Sequence, residues 1–210
     1  MSFELLDLEN HKNLFENVDN EIIGKLETNT EIALFVDEFE NVKTIKFTKS
    51  GFGIDECYSK DCLEYFKLYS EGAYYFLGFS FINHNKFPYI EVYLRDSSLN
   101  LALGDYLIIL FEDGHKIKYT FEKARSGNQY HSTNIIPLNS EILSSFLTKN
   151  IEKVKVVSTR KNLFGVYNLN EKSNEGMQHF KYKYTTKIDG QLLLKYMSYK
   201  FIEFNLTNKI

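Results

Sequence analysis

The sequence has no tryptophan, and only two prolines, two cysteines and eleven glycines occur among its 210 residues. So little proline and glycine argues against a flexible linker or a low-complexity tract. Two cysteines are too few for the disulfide framework of a small secreted domain. Cys57 and Cys62 have C-x4-C spacing, but no second pair of cysteines or histidines matches it. We therefore expect two structural or free thiols and no metal site.

Signals for export and for membrane insertion are also missing. The first twenty residues are acidic and broken by polar side chains, whereas a signal peptide has a basic start and then an apolar run. No stretch approaches the roughly 20 apolar residues that a membrane helix requires. We therefore expect a soluble, cytoplasmic protein with no membrane partner.

Catalytic and cofactor-binding motifs of defined spacing are absent from the sequence. It contains no serine nucleophile elbow, no P-loop and no dinucleotide-binding glycine motif. None of the five histidines forms a close pair of the kind that binds zinc. The sequence therefore favours a protein that is not an enzyme and that carries no cofactor.

The charge balance gives no general attraction to nucleic acid. Lysine and arginine together number 25 against 28 acidic residues, for a formal net charge of −3. Residues 180–187 (FKYKYTTK) combine lysines, which suit phosphates, with tyrosines, which can stack on bases. In a strand, however, this alternation places the two groups on opposite faces. We therefore do not expect a nucleic-acid partner.

Aromatic residues, in contrast, are abundant, with 18 phenylalanines and 15 tyrosines. Such residues fit pleated, half-buried surfaces and favour β structure. The clearest local signal is 106–121 (YLIILFEDGHKIKYTF), where two β-type runs flank Asp113-Gly114. This dipeptide is typical of a two-residue type I′ turn, in which both positions need a positive φ. Such a turn would pair Leu110 with Ile117.

The first strand of this hairpin is apolar on both faces. It should therefore lie inside a sheet, with both of its faces covered by other parts of the protein. The face toward the apolar residues of the second strand comprises Tyr106, Ile108 and Leu110. The other face comprises Leu107, Ile109 and Phe111. This second face needs a cover, which a helix at 140–149 or a second sheet would supply. The second strand alternates, and its lysines would discourage pairing at a sheet edge.

Other apolar patterns predict the remaining elements. Strands are expected at 31–36, 42–48, 73–81, 89–95, 153–159 and 163–169, mostly paired as hairpins. Short helices are expected at 9–18, 59–69 and 140–149, and an irregular connection is the alternative at 59–69. The helix at 140–149 should begin at Asn139 or Ser140 and end at Asn150 in the left-handed conformation. Residues 189–199 fit either a hairpin or a short helix, before a last strand at 201–206.

Consecutive hairpins with few helices predict a mainly β fold. The antiparallel hairpins would form a sandwich or barrel-like body with two or three short helices, and an α+β fold is the alternative. No internal repeat or linker divides the chain, so residues 1–210 are expected to form a single β-rich domain.

One polar loop is crowded with side chains that suit a ligand. Residues 124–133 (ARSGNQYHST) contain Arg125, Asn128, Tyr130 and His131. The arginine would hold an anionic group, and the histidine would act as acid or base near neutral pH. Loops on a rigid sheet often carry function. The run has no defined spacing, however, and a solvated connection is the other interpretation.

Because catalytic, cofactor and metal motifs are absent, the first hypothesis is a non-enzymatic protein that acts through a protein–protein surface. An inhibitor, an immunity-type protein or an accessory subunit of an assembly would fit. Exposed tyrosines are favoured at such surfaces. Those expected to face outward are Tyr74, Tyr93, Tyr130 and Tyr167. The alternative is a small-ligand-binding protein or small enzyme that uses the 124–133 loop.

Overall fold

The computed structural model describes residues 13–29, 31–37, 42–48, 66–71, 75–84, 87–124, 126–127, 130–169 and 190–208. Within them the chain forms eleven strands and three helices. The strands are β1 (Glu31–Asp37), β2 (Val42–Thr48), β3 (Phe66–Ser70), β4 (Phe76–His84), β5 (Phe87–Arg95), β6 (Tyr106–Phe111), β7 (Lys116–Thr120), β8 (Ser126–Gly127), β9 (His131–Pro137), β10 (Ile151–Ser158) and β11 (Leu163–Asn168). The helices are α1 (Asn20–Asn29), α2 (Ser140–Thr148) and α3 (Gly190–Asn208).

The strands belong to one curled antiparallel sheet that forms a half-barrel. Along the sheet the order is β7, β6, β10, β11, β3, β4, β5, β9 and β8. β2 lies beside the second half of β4, opposite residues 82–84, and pairs with β1 on its other side. The prediction of a mainly β fold with antiparallel hairpins, a barrel-like body and a few helices is confirmed.

Phenylalanine rings fill the concave side of the sheet beneath α2 and α3. Phe146 on α2 contacts Phe79 and Phe81 of β4 at ring-centroid distances of 5.9 and 6.0 Å. It contacts Phe111 of β6 at 6.1 Å. Phe201 on α3 stacks on Phe81 at 5.5 Å. All five rings are buried, and their edge-on and stacked contacts hold both helices against the sheet.

The register of the β6–β7 hairpin differs by one residue from the prediction. Leu110 pairs with Lys116 and not with Ile117. Because side chains alternate, a slip of one residue exchanges the faces. The buried face comprises Leu107, Ile109, Phe111, Ile117 and Tyr119. The predicted cover by the helix at 140–149 is confirmed by the contact between Phe111 and Phe146, whereas the other face of β6 stays partly exposed.

The turn of this hairpin explains the shift. The N–H of Gly114 donates to the C=O of Phe111 (2.9 Å), and the N–H of Phe111 donates to the C=O of His115 (3.0 Å), so the loop has three residues. Gly114 has a φ of 83°, whereas Asp113 does not have a positive φ. A three-residue loop that ends in a left-handed glycine needs only one such residue, while the predicted type I′ turn needs two. Asp113 instead accepts a hydrogen bond from the N–H of His115 (2.9 Å).

Two predicted helices are wrong in their described parts. The end of the segment 59–69 belongs to β3, which pairs with both β4 and β11. In the segment 9–18, residues 13–18 form turns and bends, and α1 begins only at Asn20. The apolar residues of this segment have a helical spacing, but a short strand also satisfies it. Pairing with a strand on each side then favours the strand at β3.

α2 begins where predicted and ends differently. The side chain of Asn139 accepts a hydrogen bond from the N–H of Ile142 (2.8 Å), as an N-cap does. The helix ends at Lys149 in an extended conformation, and Asn150 is not left-handed. The Asn150 amide instead donates to the Glu112 carboxylate (2.9 Å), which ties the end of α2 to the β6–β7 loop.

The sequence does not predict β9, whose first residues fall in the predicted polar loop 124–133. β9 pairs along its length with β5. Its buried residues include the polar Ser132, Thr133 and Asn134. Asn134 Nδ2 donates to the carbonyls of Leu101 and Lys123 (2.7 and 3.0 Å), which offsets the cost of burying the amide. A strand that buries satisfied polar groups lacks the apolar alternation that marks other strands.

The C-terminal segment is one helix, so the helix alternative at 189–199 is confirmed and the strand predicted at 201–206 is wrong. Phe201 and Ile202 are adjacent and both buried, whereas a strand would turn them to opposite faces. Asn205 donates to the C=O of Phe201 (2.6 Å) and accepts a hydrogen bond from the Asn83 amide of β4. The apolar pattern of residues 201–206 also fits a strand, and packing against β4 stabilises the helix instead.

The turn conformation predicts opposite effects of one substitution at two glycines. Gly114→Ala should lower the free energy of unfolding by about 1 kcal/mol, because an alanine is strained at a φ of 83°. The space around the position is open, so no steric clash adds to this effect. Gly24→Ala, which adds a methyl group into equally open space on α1, should raise it by about 0.5–1 kcal/mol. Urea denaturation of both variants measures the two changes, and a neutral Gly114→Ala would contradict the left-handed turn.

Candidate functional site

β11 is fully paired on one side and only partly paired on the other. On the β10 side every residue from Leu163 to Asn168 has a partner. On the other side β3 pairs only with Tyr167 and Asn168. β3 then ends at Ser70, where the chain turns toward β4. Residues 163–166 therefore face a gap in the described part of the sheet.

A cleft of about 710 Å³ opens at this gap. One wall is β11, and a second is the end of the β3–β4 hairpin, where the N–H of Ser70 donates to the C=O of Tyr75 (3.0 Å). The third wall is the segment 96–99, which follows β5. The hydroxyls of Tyr75 and Ser97 lie 3.3 Å apart and join the second wall to the third.

The buried pair of Asp96 and Tyr167 forms the floor of the cleft. The Tyr167 hydroxyl donates to Asp96 Oδ2 (2.7 Å). Asp96 Oδ1 accepts from the N–H and hydroxyl of Ser98 (2.8 and 2.6 Å) and from the N–H of Leu99 (3.3 Å). Burial, together with the hydrogen bond to Asp96, raises the pKa of Tyr167 far above its ordinary value. The carboxylate thereby anchors the segment 96–99 to β11.

Gly165 makes this close approach possible. A Cβ atom there would lie 2.8 Å from Cδ1 of Leu99 and 2.9 Å from the hydroxyl of Tyr167. A Cβ atom would therefore force the side chain of Leu99 or of Tyr167 to move. A glycine inside a strand often marks such an approach, and this is the one local signal by which the sequence could have indicated the cleft.

The outer rim of the cleft is apolar and exposed. Phe164, Val166 and Tyr75 form this rim, which we name the β11 surface. Phe164 is the most exposed of them, at 63%. The Lys155 ammonium lies 4.2 Å from the centroid of its ring, a cation–π contact that leaves most of the ring open to solvent.

Several lysines lie beside the β11 surface on the same outer face of the sheet. The lysine face comprises Lys116, Lys118, Lys153 and Lys155. The strand register aligns Lys118, Ile108, Lys155 and Val166 in one row. Glu152 forms a salt bridge with Lys153 at 2.7 Å. Four lysines close together make this face basic, although the whole chain has a formal charge of −3.

The structure describes two of the four ligand residues that the sequence predicts in the 124–133 loop. Arg125 and Asn128 lie outside the described residues. Tyr130 is exposed, and His131 is the first residue of β9, with its ring stacked on Tyr93 at 5.6 Å. The structure therefore shows no joint arrangement of these four side chains. Their role in ligand binding stays a prediction.

The four tyrosines expected to face outward differ in their surroundings. Tyr130 is exposed as predicted, and Tyr93 is half-buried between the rings of Phe76 and His131. The prediction is wrong for Tyr167, which is completely buried because its hydroxyl reaches Asp96. Outside the described residues lie Tyr74, Cys57, Cys62 and the lysine-tyrosine segment 180–187.

Among the residues that the structure describes, no three histidine, cysteine, aspartate or glutamate side chains come together as metal ligands. None of the helices described there combines the length and the apolar composition needed to cross a bilayer.

Replacing Tyr167 by Phe should lower the free energy of unfolding by about 1–3 kcal/mol at pH 7, because a buried oxygen of Asp96 loses its donor. Tyr75→Phe removes a hydroxyl from an exposed side chain and is the matched control. Its effect should stay within about 0.5 kcal/mol. Urea denaturation at constant pH measures both changes.

The comparison of the native protein with Tyr167→Phe also predicts that the difference in stability depends on pH. The pKa of Tyr167 in the folded protein lies above its ordinary value of 10.0, so its stabilising effect is complete below that pH and is lost as the pH rises above it. The difference in stability between the native protein and Tyr167→Phe should therefore shrink above about pH 10. A difference that stays constant from pH 7 to pH 11 would contradict the buried hydrogen bond.

No protein-family model, no curated protein and no solved structure matches this chain. The function proposed below therefore depends on the residues of the chain and on the geometry of the cleft and its rim.

Proposed function

We propose that the chain is a non-enzymatic, cytoplasmic protein that binds another protein through the β11 surface and the adjoining lysine face. The observation that carries the proposal is the exposure of Phe164 and Val166, which point to the same side of β11. Both are apolar, and neither is needed to fill the core that the described residues form. Aromatic residues are enriched at protein interfaces and often contribute most of the binding energy.

The size of the exposed ring supports this proposal. A phenylalanine side chain gains roughly 1.5–3 kcal/mol when it is fully removed from water. Phe164 is 63% exposed, so much of this gain is still available for binding. Tyr75 borders the same cleft and would extend the contact. A partner with an apolar protrusion would bury these side chains together.

The lysine face defines the charge of the partner. Four ammonium groups on one face attract an acidic surface and speed its association. The proposed partner therefore presents an apolar segment bordered by aspartate or glutamate. An inhibitor, an immunity-type protein or an accessory subunit would work in this way, because each acts by covering a surface of its partner.

Affinity capture with a matched pair of variants tests the proposal. Phe164→Ser removes the exposed ring of the β11 surface, and Phe87→Ser removes an equally exposed ring, also at 63%, at the far end of β5. A true partner should be captured from native cell extract by the wild-type protein and by Phe87→Ser. Its amount should fall at least about tenfold with Phe164→Ser, a loss of about 1.4 kcal/mol.

Further measurements complete this test. Binding of the purified partner should weaken as salt is raised from 50 to 500 mM. Circular dichroism of both variants checks that the fold is retained. Equal capture by Phe164→Ser and Phe87→Ser would contradict the proposal. So would loss of every captured protein after nuclease treatment, since binding would then pass through nucleic acid.

A further inference from the structure

We infer that the cleft takes up an extended peptide segment of the protein partner, which adds to the sheet as a strand beside residues 163–166 of β11. This inference rests on the proposed function and names the way in which the partner binds. The segment would occupy the line of β3 beyond Ser70, where the described sheet has a gap.

The backbone of β11 provides the first argument. In an antiparallel sheet, successive residues direct their N–H and C=O groups to opposite sides. Two of the residues 163–166 therefore point these groups away from β10 and into the cleft. Among the described residues, no strand pairs with them on that side. The open edge is about 13 Å long, at about 3.3 Å per residue, so a segment of four or five residues would span it.

The side chains around the open edge provide the second argument. An added strand would place alternate side chains beside Phe164 and Val166 on the outer face. The segment 96–99 lies below and closes the opposite side. The cleft of about 710 Å³ has room for a short extended segment. Backbone pairing would supply affinity, and the two outer side chains would supply specificity.

Charges at the two ends of the gap predict which residues the segment carries there. Glu71 lies where β3 ends, opposite the Val166 end of the gap. At the Leu163 end, the Lys161 ammonium donates to the carbonyl of Ser98 (2.8 Å). Because β3 is antiparallel to β11, a segment that continues its line runs in the same direction and brings its N-terminal part to the Glu71 carboxylate and its C-terminal part to Lys161. We therefore infer a sequence with lysine or arginine first, then two apolar residues separated by one position, then aspartate or glutamate.

Random twelve-residue peptides displayed on phage are the probe. Peptides enriched on the wild-type protein should share this order of basic, alternating apolar and acidic residues. Synthetic copies should lose affinity at least about tenfold on Phe164→Ser and keep it on Phe87→Ser. Glu71→Lys should weaken them by about threefold to tenfold. Hydrogen exchange should show slower exchange of the amides within residues 163–166 when peptide is bound.

N-methylation of the synthetic peptides tests the backbone pairing without any change in the protein. Methyl groups at alternate positions should weaken binding by about tenfold or more, and those in between should be tolerated. If every position tolerates the methyl group while Phe164→Ser still abolishes binding, strand addition is wrong and the protein-binding surface stands. If no peptide is enriched, or if enriched peptides ignore Phe164→Ser, strand addition is likewise overturned. In both cases, capture of the whole partner tests the proposed function separately.

Discussion

The packing of Phe146 against the sheet is the constraint on which the rest of the structure depends. Its ring touches Phe79 and Phe81 of β4 and Phe111 of β6, strands that are separated in the sheet by β3, β11 and β10. One ring reaches both only if the sheet curls, so α2 lies at the centre of the half-barrel. α3 completes the concave side through Phe201, and close packing leaves little space between the rings.

Because aromatic rings fill the concave side, a ligand could reach only the outer face and the ends of the strands in the described part of the sheet. The connection 96–105 links β5 to β6, and a buried carboxylate holds each of its ends. Asp96 accepts a hydrogen bond from Tyr167 of β11, and Asp105 accepts one from the N–H of Thr159 (2.9 Å) after β10. The connection is thus tied to the middle of the sheet, while β3 stops short beside β11. These two facts together produce the cleft, whose polar floor is satisfied internally and whose rim is apolar.

Local patterns predict most strands and their nearest partners. β1, β2, β5, β10 and β11 lie within about two residues of the predicted bounds, because apolar alternation reflects one buried face. The failures have other causes. β9 buries polar side chains that hydrogen bonds from distant segments satisfy, and α3 is held by packing against β4. The hairpin register depended on the backbone of Asp113, which avoids a positive φ and leaves the left-handed conformation to Gly114.

By itself, the sequence determined most of the strands, the hairpin neighbours and the N-cap of α2, since these depend on residues close together in the chain. Only the tertiary structure decided that β3 lies beside β11 and that β10 lies beside β6. Pairing between segments far apart depends on which buried faces pack together, and no local pattern records that choice. The half-paired edge of β11, the burial of Tyr167 and the exposure of Phe164 all follow from these distant pairings. The candidate site therefore became visible only in the folded chain.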